Sequence, residues 1–207
     1  ALLAAGMVAC GGDDTPVPLM SVDSAGASSI NLESLGQGGA TYPLAPLSAD
    51  EAASLAFLRE EEQLAQSVNV VSKGLWALPI FRNIADGEAT HSAAVKALLD
   101  RYQQTDPLAG LSDGTFKTPE FQSLYDSLIA SSKISLVEAL TVGVEIEELD
   151  IRDITAQKEN VDNADILKVY DSLLGASRNH LRAFMKALAQ QGGSYVPKYI
   201  PQPEFNA

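Results

Sequence analysis

Apolar residues recur at spacings of three and four through most of the chain from Ser48 onward, the pattern of amphipathic helices. In "SADEAASLAFLREEEQLAQSVNVVSK", Phe57, Leu58, Leu64, Ala65 and Val68 form one stripe, and Glu61 falls on it. Ser48 with Glu51 three residues on is a capping box, and Lys73-Gly74 predicts the end of this helix. A second periodic run extends from about Phe81 to Tyr102 through Ile84, Val95 and Leu98. "QQTDPLAGLSDGTFKTPE" breaks the period with Pro, Gly and Asp and reads as a long connection. Thr118-Pro119 predicts a short helix closing near Ser131-Ser132, with Thr118 as its cap. Ser135 with Glu138 opens a third long helix, and Asp162-Asn163 caps a fourth that stops at Gly192-Gly193. No segment reads as a strand. The expectation is an all-α four-helix bundle over residues 48–193, with a short extra helix in the crossover between helices 2 and 3. Residues 194–207 are punctuated by proline and are expected to lie extended along the bundle or to hang free.

Composition narrows what such a bundle can do. The formal charge of −13 argues against a nucleic-acid backbone as partner, because phosphate recognition needs a basic face. A single cysteine excludes an internal disulfide, a four-cysteine zinc or iron–sulfur site and a rubredoxin-type iron centre. That residue, Cys10, ends an apolar run, "ALLAAGMVAC", and two glycines follow it. The run resembles the end of a bacterial lipoprotein signal peptide, with Val8, Ala9 and Cys10 as its lipobox and Cys10 as the lipidated residue. That resemblance implies a truncated signal peptide over residues 1–10, lacking its methionine and basic n-region. It also implies a location at the cell envelope, on the periplasmic or extracellular face, where the membrane is reached through the lipid alone. The run is too short to span a bilayer, which takes about 20 apolar residues. Residues 11–47, rich in Gly, Ser, Pro, Ala and Asp, are expected to form a flexible tether.

The candidate chemistry lies on the apolar stripes. Residues i and i+3 share a helix side, so Glu88 and His91 project together beside Ile84, Val95 and Leu98. In "REEEQ", Glu61 points inward, while Glu60 and Glu62 are expected to face water or the bundle's edge. In "VEIEELD", the stripe passes through Glu147 with Asp150 three residues later, although a small rotation of the helix would substitute Glu145 or Glu148. The last helix places His180 on the stripe of Ile166, Tyr170, Leu173, Ser177 and Phe184. Every long helix therefore carries a metal-capable side chain on its buried face. Several buried carboxylates repel one another unless a cation lies between them, and a metal pair supplies one. The Glu61–Glu147 and His91–His180 separations are nearly equal, as two similar hairpins related by an approximate twofold would require.

These residues are similar to those of the ferritin-like di-iron carboxylate proteins, in which two helices each give a glutamate and two give Glu-x-x-His. More closely, "FLREEEQLA", "EATH", "IEELDI", "SRNHLRAF" and "QGGSYVP" resemble an uncharacterised ferritin-like family, domain of unknown function 2202, over about residues 50–200. The resemblance implies metal ligands at Glu61, Glu88, His91, Glu147 and His180. Ser177 departs from it by standing where the second Glu-x-x-His would have its glutamate. Asp150 is the candidate to replace that carboxylate, and Arg178 and Ser177 are candidates for supporting contacts. Tyr170 is expected to pack, and Trp76 to plug the turn after the first helix.

Carboxylate and imidazole suit iron, with manganese or zinc as alternatives. The leading expectation is a centre of two iron ions reacting with oxygen or peroxide. Without a rubredoxin-type relay, any electron donor must be external. The alternatives are a non-catalytic metal-binding or sensing module and a metal-free interaction bundle.

Overall fold

The computed structural model describes residues 20–22, 28–30, 42 and 44–206. Cys10, its lipobox and most of the expected tether lie outside the described residues. Four long helices dominate: α1 (Ala49–Trp76), α2 (Pro79–Arg101), α4 (Leu136–Lys158) and α5 (Ala164–Gln190). The crossover carries α3 (Pro119–Ser132), and the tail ends in a short α6 (Gln202–Phe205). The protein is an all-α helical bundle, as the pattern predicts. One correction concerns strands, since β1 (Met20–Val22) and β2 (Ser28–Ile30) pair antiparallel with Met20 opposite Ile30. Three residues per strand are too few for alternation to register in the sequence.

The bundle closes as a ring in the order α1, α2, α5, α4. In each contact between hairpins the chains run antiparallel. Tyr102 and Arg101 at the end of α2 meet Asp165 at the start of α5, and Phe81 meets Phe184 at the opposite end. Glu51 at the start of α1 likewise binds the backbone N–H groups of Asp162 and Asn163 just beyond α4. The core is apolar at both ends of the bundle, with Phe81, Ile84, Leu140 and Phe184 at one and Leu55, Ile154, Val169 and Tyr170 at the other.

The caps explain where the helices begin. Ser48 and Glu51 form the expected reciprocal box, and Glu51 also receives Nδ2 of Asn163, so one carboxylate serves two helix starts. Asn163 therefore does not cap α5 with its own side chain. Thr118 does not cap α3 either. Its N–H, its hydroxyl and the N–H of Lys117 all donate to Glu60 of α1, a carboxylate at the positive end of the helix. Ser135 accepts from the Glu138 N–H as expected. α1 runs past Gly74 to Trp76, and Ala77 makes the turn in the left-handed region at φ 49° before Pro79 opens α2. Trp76 donates its indole N–H to the Ser132 carbonyl at 2.9 Å, tying this turn to the end of α3.

α3 covers the outer side of α1 through a second apolar cluster, in which Leu64, Ala65 and Val68 pack with Phe121, Leu128, Val142 and Ile146. The tail is bound rather than free. The Lys198, Tyr199 and Ile200 N–H groups converge on Oε1 of Glu148, and the Tyr195 hydroxyl donates to its Oε2 at 2.6 Å. None of the described helices is long and apolar enough to cross a membrane.

Candidate metal centre

Halfway along the bundle the apolar stripes are interrupted at one level on all four long helices. Glu88 is the hub. Its Oε2 lies 2.8 Å from Nδ1 of His91 one turn away, and its Oε1 lies 2.7 Å from Nδ1 of His180 on α5. The imidazole rings stack with centroids 5.3 Å apart and planes 17° from parallel. Beyond them stand Glu62 of α1, 3.3 Å from His91 Nδ1, and Glu147 of α4, 3.5 Å from His180 Nδ1. Asp150 joins from the next turn of α4, with a carboxylate oxygen within 4.8 Å of Glu88 and Glu147 oxygens. Glu62, Glu88, His91, Glu147, Asp150 and His180 are all buried.

The structure thus brings together five of the six residues expected from the sequence and exchanges the sixth. Glu62, expected at the edge, is the α1 carboxylate at His91. Glu61 is also buried, but its strongest charged neighbour is Asp153, with Glu62 next. Glu60 is buried too, through its role at α3. Three successive glutamates spread over about 200° of helix circumference, so the helical pattern lets only one face a given neighbour. All three are buried because α2, α4 and α3 enclose α1. The signal missing from the sequence was α3, a short helix whose docking site no periodicity reveals. Glu147 rather than Glu145 or Glu148 faces inward, since Glu145 pairs with Lys198 and Tyr199, and Glu148 holds the tail.

Ser177 is buried, but its hydroxyl donates to the Leu173 carbonyl at 3.1 Å, one turn back on its own helix. It leaves the second Glu-x-x-His position without a carboxylate, and Asp150 approaches from α4 instead. Arg178 is half-buried, with an Nε that makes no hydrogen bond. Tyr170 packs, as expected, and its hydroxyl bonds Ser54 Oγ at 2.8 Å.

Burial and mutual repulsion dominate the electrostatics of the cluster. Burial pushes the Glu62 carboxyl up to about 7, with nearby Glu88 adding to the rise and His91 opposing it. Burial likewise pushes Glu147 up to about 8, against the pull of His180. Asp150 is raised well above the carboxylate range by burial and by the Glu61, Glu62, Glu147 and Glu88 charges. Burial opposes the charged form of Glu88 as well, but His91 and His180 outweigh it and hold that carboxyl below its ordinary value. Burial favours neutral imidazole, yet Glu88 and Glu62 raise His91 to about 9, and Glu147 and Glu88 raise His180 well above the usual range. Protonation of the rings adds positive charge, and protonation of the carboxyls removes negative charge, so both relieve the repulsion within the cluster.

The donor set fits a metal. Both oxygens of Glu62 and of Glu147, Oδ2 of Asp150 and Oε2 of Glu61 are buried without a hydrogen-bond partner. Native interiors rarely leave such atoms unpaired, and coordination would satisfy them. Ligand atoms of Glu88, His91 and His180 lie within 4.8 Å of one another, as do those of Glu88, Glu147 and Asp150, and either group could hold an ion.

The model of the uncharacterized protein domain DUF2202 matches residues 51–207. The chain belongs to this family. An uncharacterized protein of Methanocaldococcus jannaschii, MJ0754, is 43% identical over 165 residues, covering 80% of this chain and 89% of the relative. The crystal structure of the hypothetical protein MJ0754 aligns with a TM-score of 0.78 at 42% identity, over 81% of this chain and 95% of that one. The family match spans the four helices that carry these side chains and the tail that binds Glu148.

Proposed function

We propose that this domain is a ferritin-like metal protein that holds two iron ions between its four long helices and reacts with oxygen or peroxide. The observation that carries the reading is the placement of Glu88 between the Nδ1 atoms of His91 and His180, with the buried carboxylates of Glu62 and Glu147 beyond them. A bridging carboxylate, one imidazole at each end and a further carboxylate outside each imidazole is a pattern for two neighbouring cations. Bound iron would supply the electrons that reduce an oxygen species. The chain's own residues would hold the ions, keep bulk water out through the apolar layers at each end, and carry protons. His91 and His180 would give up protons on binding a cation, and Glu62 and Glu147 would bind it as carboxylates. A single cysteine provides no rubredoxin-type relay, so in this reading the reductant is external. Manganese or zinc would occupy the same donors, and zinc would make the site a non-catalytic binding or sensing module.

The envelope location belongs to the same proposal and rests on the Val8-Ala9-Cys10 sequence, which would carry a lipid anchor.

The test is metal content. The chain is loaded anaerobically with ferrous iron, desalted and analysed by mass spectrometry beside a Glu88→Ala/His91→Ala variant. The expected result is about two irons per chain, lost in the variant. Near-zero iron in both, with equal melting temperatures, would leave the cluster as a hydrogen-bonded network in an interaction bundle. Consumption of oxygen or peroxide by the loaded protein then separates a redox centre from a storage or sensing module.

A further inference from the structure

Glu145, Glu148 and Arg152 are spaced three and four residues apart on α4, so they form one stripe, and the tail lies along it. Oε1 of Glu148 accepts the N–H groups of Lys198, Tyr199 and Ile200 at 2.8, 2.7 and 3.0 Å. Glu145 accepts from Lys198 Nζ and from the Tyr199 hydroxyl, each at 2.7 Å. The Arg152 guanidinium lies 5.2 Å from the centroid of the Tyr199 ring.

The α4 carboxylates of the metal centre stand on the other side of the same turns. Glu148 and Asp150 are two residues apart, about 200° around the helix, and Glu145 and Glu147 stand in the same relation. A turn of α4 that moved Glu147 and Asp150 toward water would therefore pull Glu145 and Glu148 off the tail. Burial favours such a turn, because Oδ2 of Asp150 has no hydrogen-bond partner and Glu88 and Glu147 crowd the same carboxyl. Packing resists it on the α5 side, where Phe184 closes on Gly143. On another flank, Leu149, Arg152 and Asp153 border a cavity of about 570 Å³ that Glu61 also lines, and this flank gains no such support.

We propose that the tail is a clamp that fixes the rotation of α4 and so sets the affinity of the centre for metal, with Glu148 as its positioning residue. Ligands already held in place lose less freedom when an ion binds, so affinity follows the clamp. The effect on affinity rests on the di-iron reading; the hold on α4 does not.

The test uses the full chain stripped of metal, with Co²⁺ as the probe, titrated by calorimetry. Glu148→Ala is expected to weaken Co²⁺ by at least about tenfold. Glu148→Gln keeps an acceptor for the three N–H groups and should stay within about threefold of wild type. Glu51→Ala strips the acceptor from four donors at the start of α1 and should also stay within about threefold, so lost stability alone does not imitate the clamp. If a circular-dichroism melt shows Glu148→Ala unfolded, Tyr199→Pro removes one N–H donor and the ring at Glu145 and Arg152, and should weaken Co²⁺ by at least about threefold. Unchanged affinity in a folded variant whose tail is cut by protease, or an equal loss in Glu51→Ala, would overturn the proposal. A wild type that binds no Co²⁺ would overturn the effect on affinity together with the metal reading, and amide exchange then decides the hold on α4. Glu148→Ala should quicken exchange from Glu145 to Ile154 and leave α2 unchanged; unaltered exchange in α4 would overturn the clamp.

Discussion

Glu88 Oε1 lies 2.7 Å from Nδ1 of His180, joining α2 to α5 at the centre of the bundle. Because Glu88 also holds His91, its removal would uncouple both rings at once and leave two buried imidazoles with one fewer counter-charge. Neighbouring carboxylates on α1 are far less equivalent than their sequence suggests, and this yields the sharpest prediction on the site.

Glu62→Ala should lower iron content to about one ion per chain, because the position at His91 then keeps only Glu88 and the ring. Glu61→Ala should leave content near that of wild type. Mass spectrometry of both loaded variants checks the pair. Loss with Glu61→Ala and retention with Glu62→Ala would reverse the assignment.

Stability of the metal-free protein should fall as pH rises from about 6 to about 9. Glu62 and Glu147 titrate near 7 and 8 when folded, and His91 near 9, all above their unfolded values. Across that window the folded chain holds protons that the unfolded chain has released, so deprotonation favours unfolding. Glu88, whose pKa is depressed, contributes its stabilisation above the ordinary carboxylate range and does not reverse the trend. Metal binding displaces the same protons, so affinity should rise over the same window. Thermal melts in chelator and in iron, at each end of the range, should diverge most at the alkaline end.

Glu148→Ala should free the tail. Three backbone N–H groups and the Tyr195 hydroxyl lose their acceptor, at a cost of about 3 kcal/mol. Limited proteolysis should then cut within residues 194–201 well before the bundle unfolds. A tail equally resistant in wild type and variant would show that Phe205 and Ile200 packing alone holds it.

Glu60→Ala should destabilise the chain by about 1–2 kcal/mol by uncapping α3. Chemical denaturation measures the loss. Amide exchange should quicken first in the opening turn of α3.

Gly143 allows close approach of α4 to α5, because a Cβ there would stand 2.5 Å from Cε1 of Phe184. Phe184 is fully buried and has no room to yield. Gly143→Ala should therefore cost about 2 kcal/mol through overpacking despite its better helix propensity. An unchanged or raised melting temperature would contradict this packing.

By itself, the sequence determined the helices and their inward stripes, because burial against neighbours imposes a 3.6-residue period that any buried side chain must share, polar or not. That is why Glu88, His91, Glu147, Asp150 and His180 were legible along with the apolar core. Tertiary structure alone decided the roles within "REEEQ" and "VEIEELD", because adjacent residues differ by a rotation that periodicity fixes only relative to a known set of neighbours. Once α3 and the tail dock on α1 and α4, Glu60 becomes a helix cap, Glu61 a cavity wall, Glu62 a ligand candidate and Glu148 an anchor. Those contacts join residues about 50 or more apart in sequence through backbone N–H groups, and backbone donors leave no trace in side-chain chemistry.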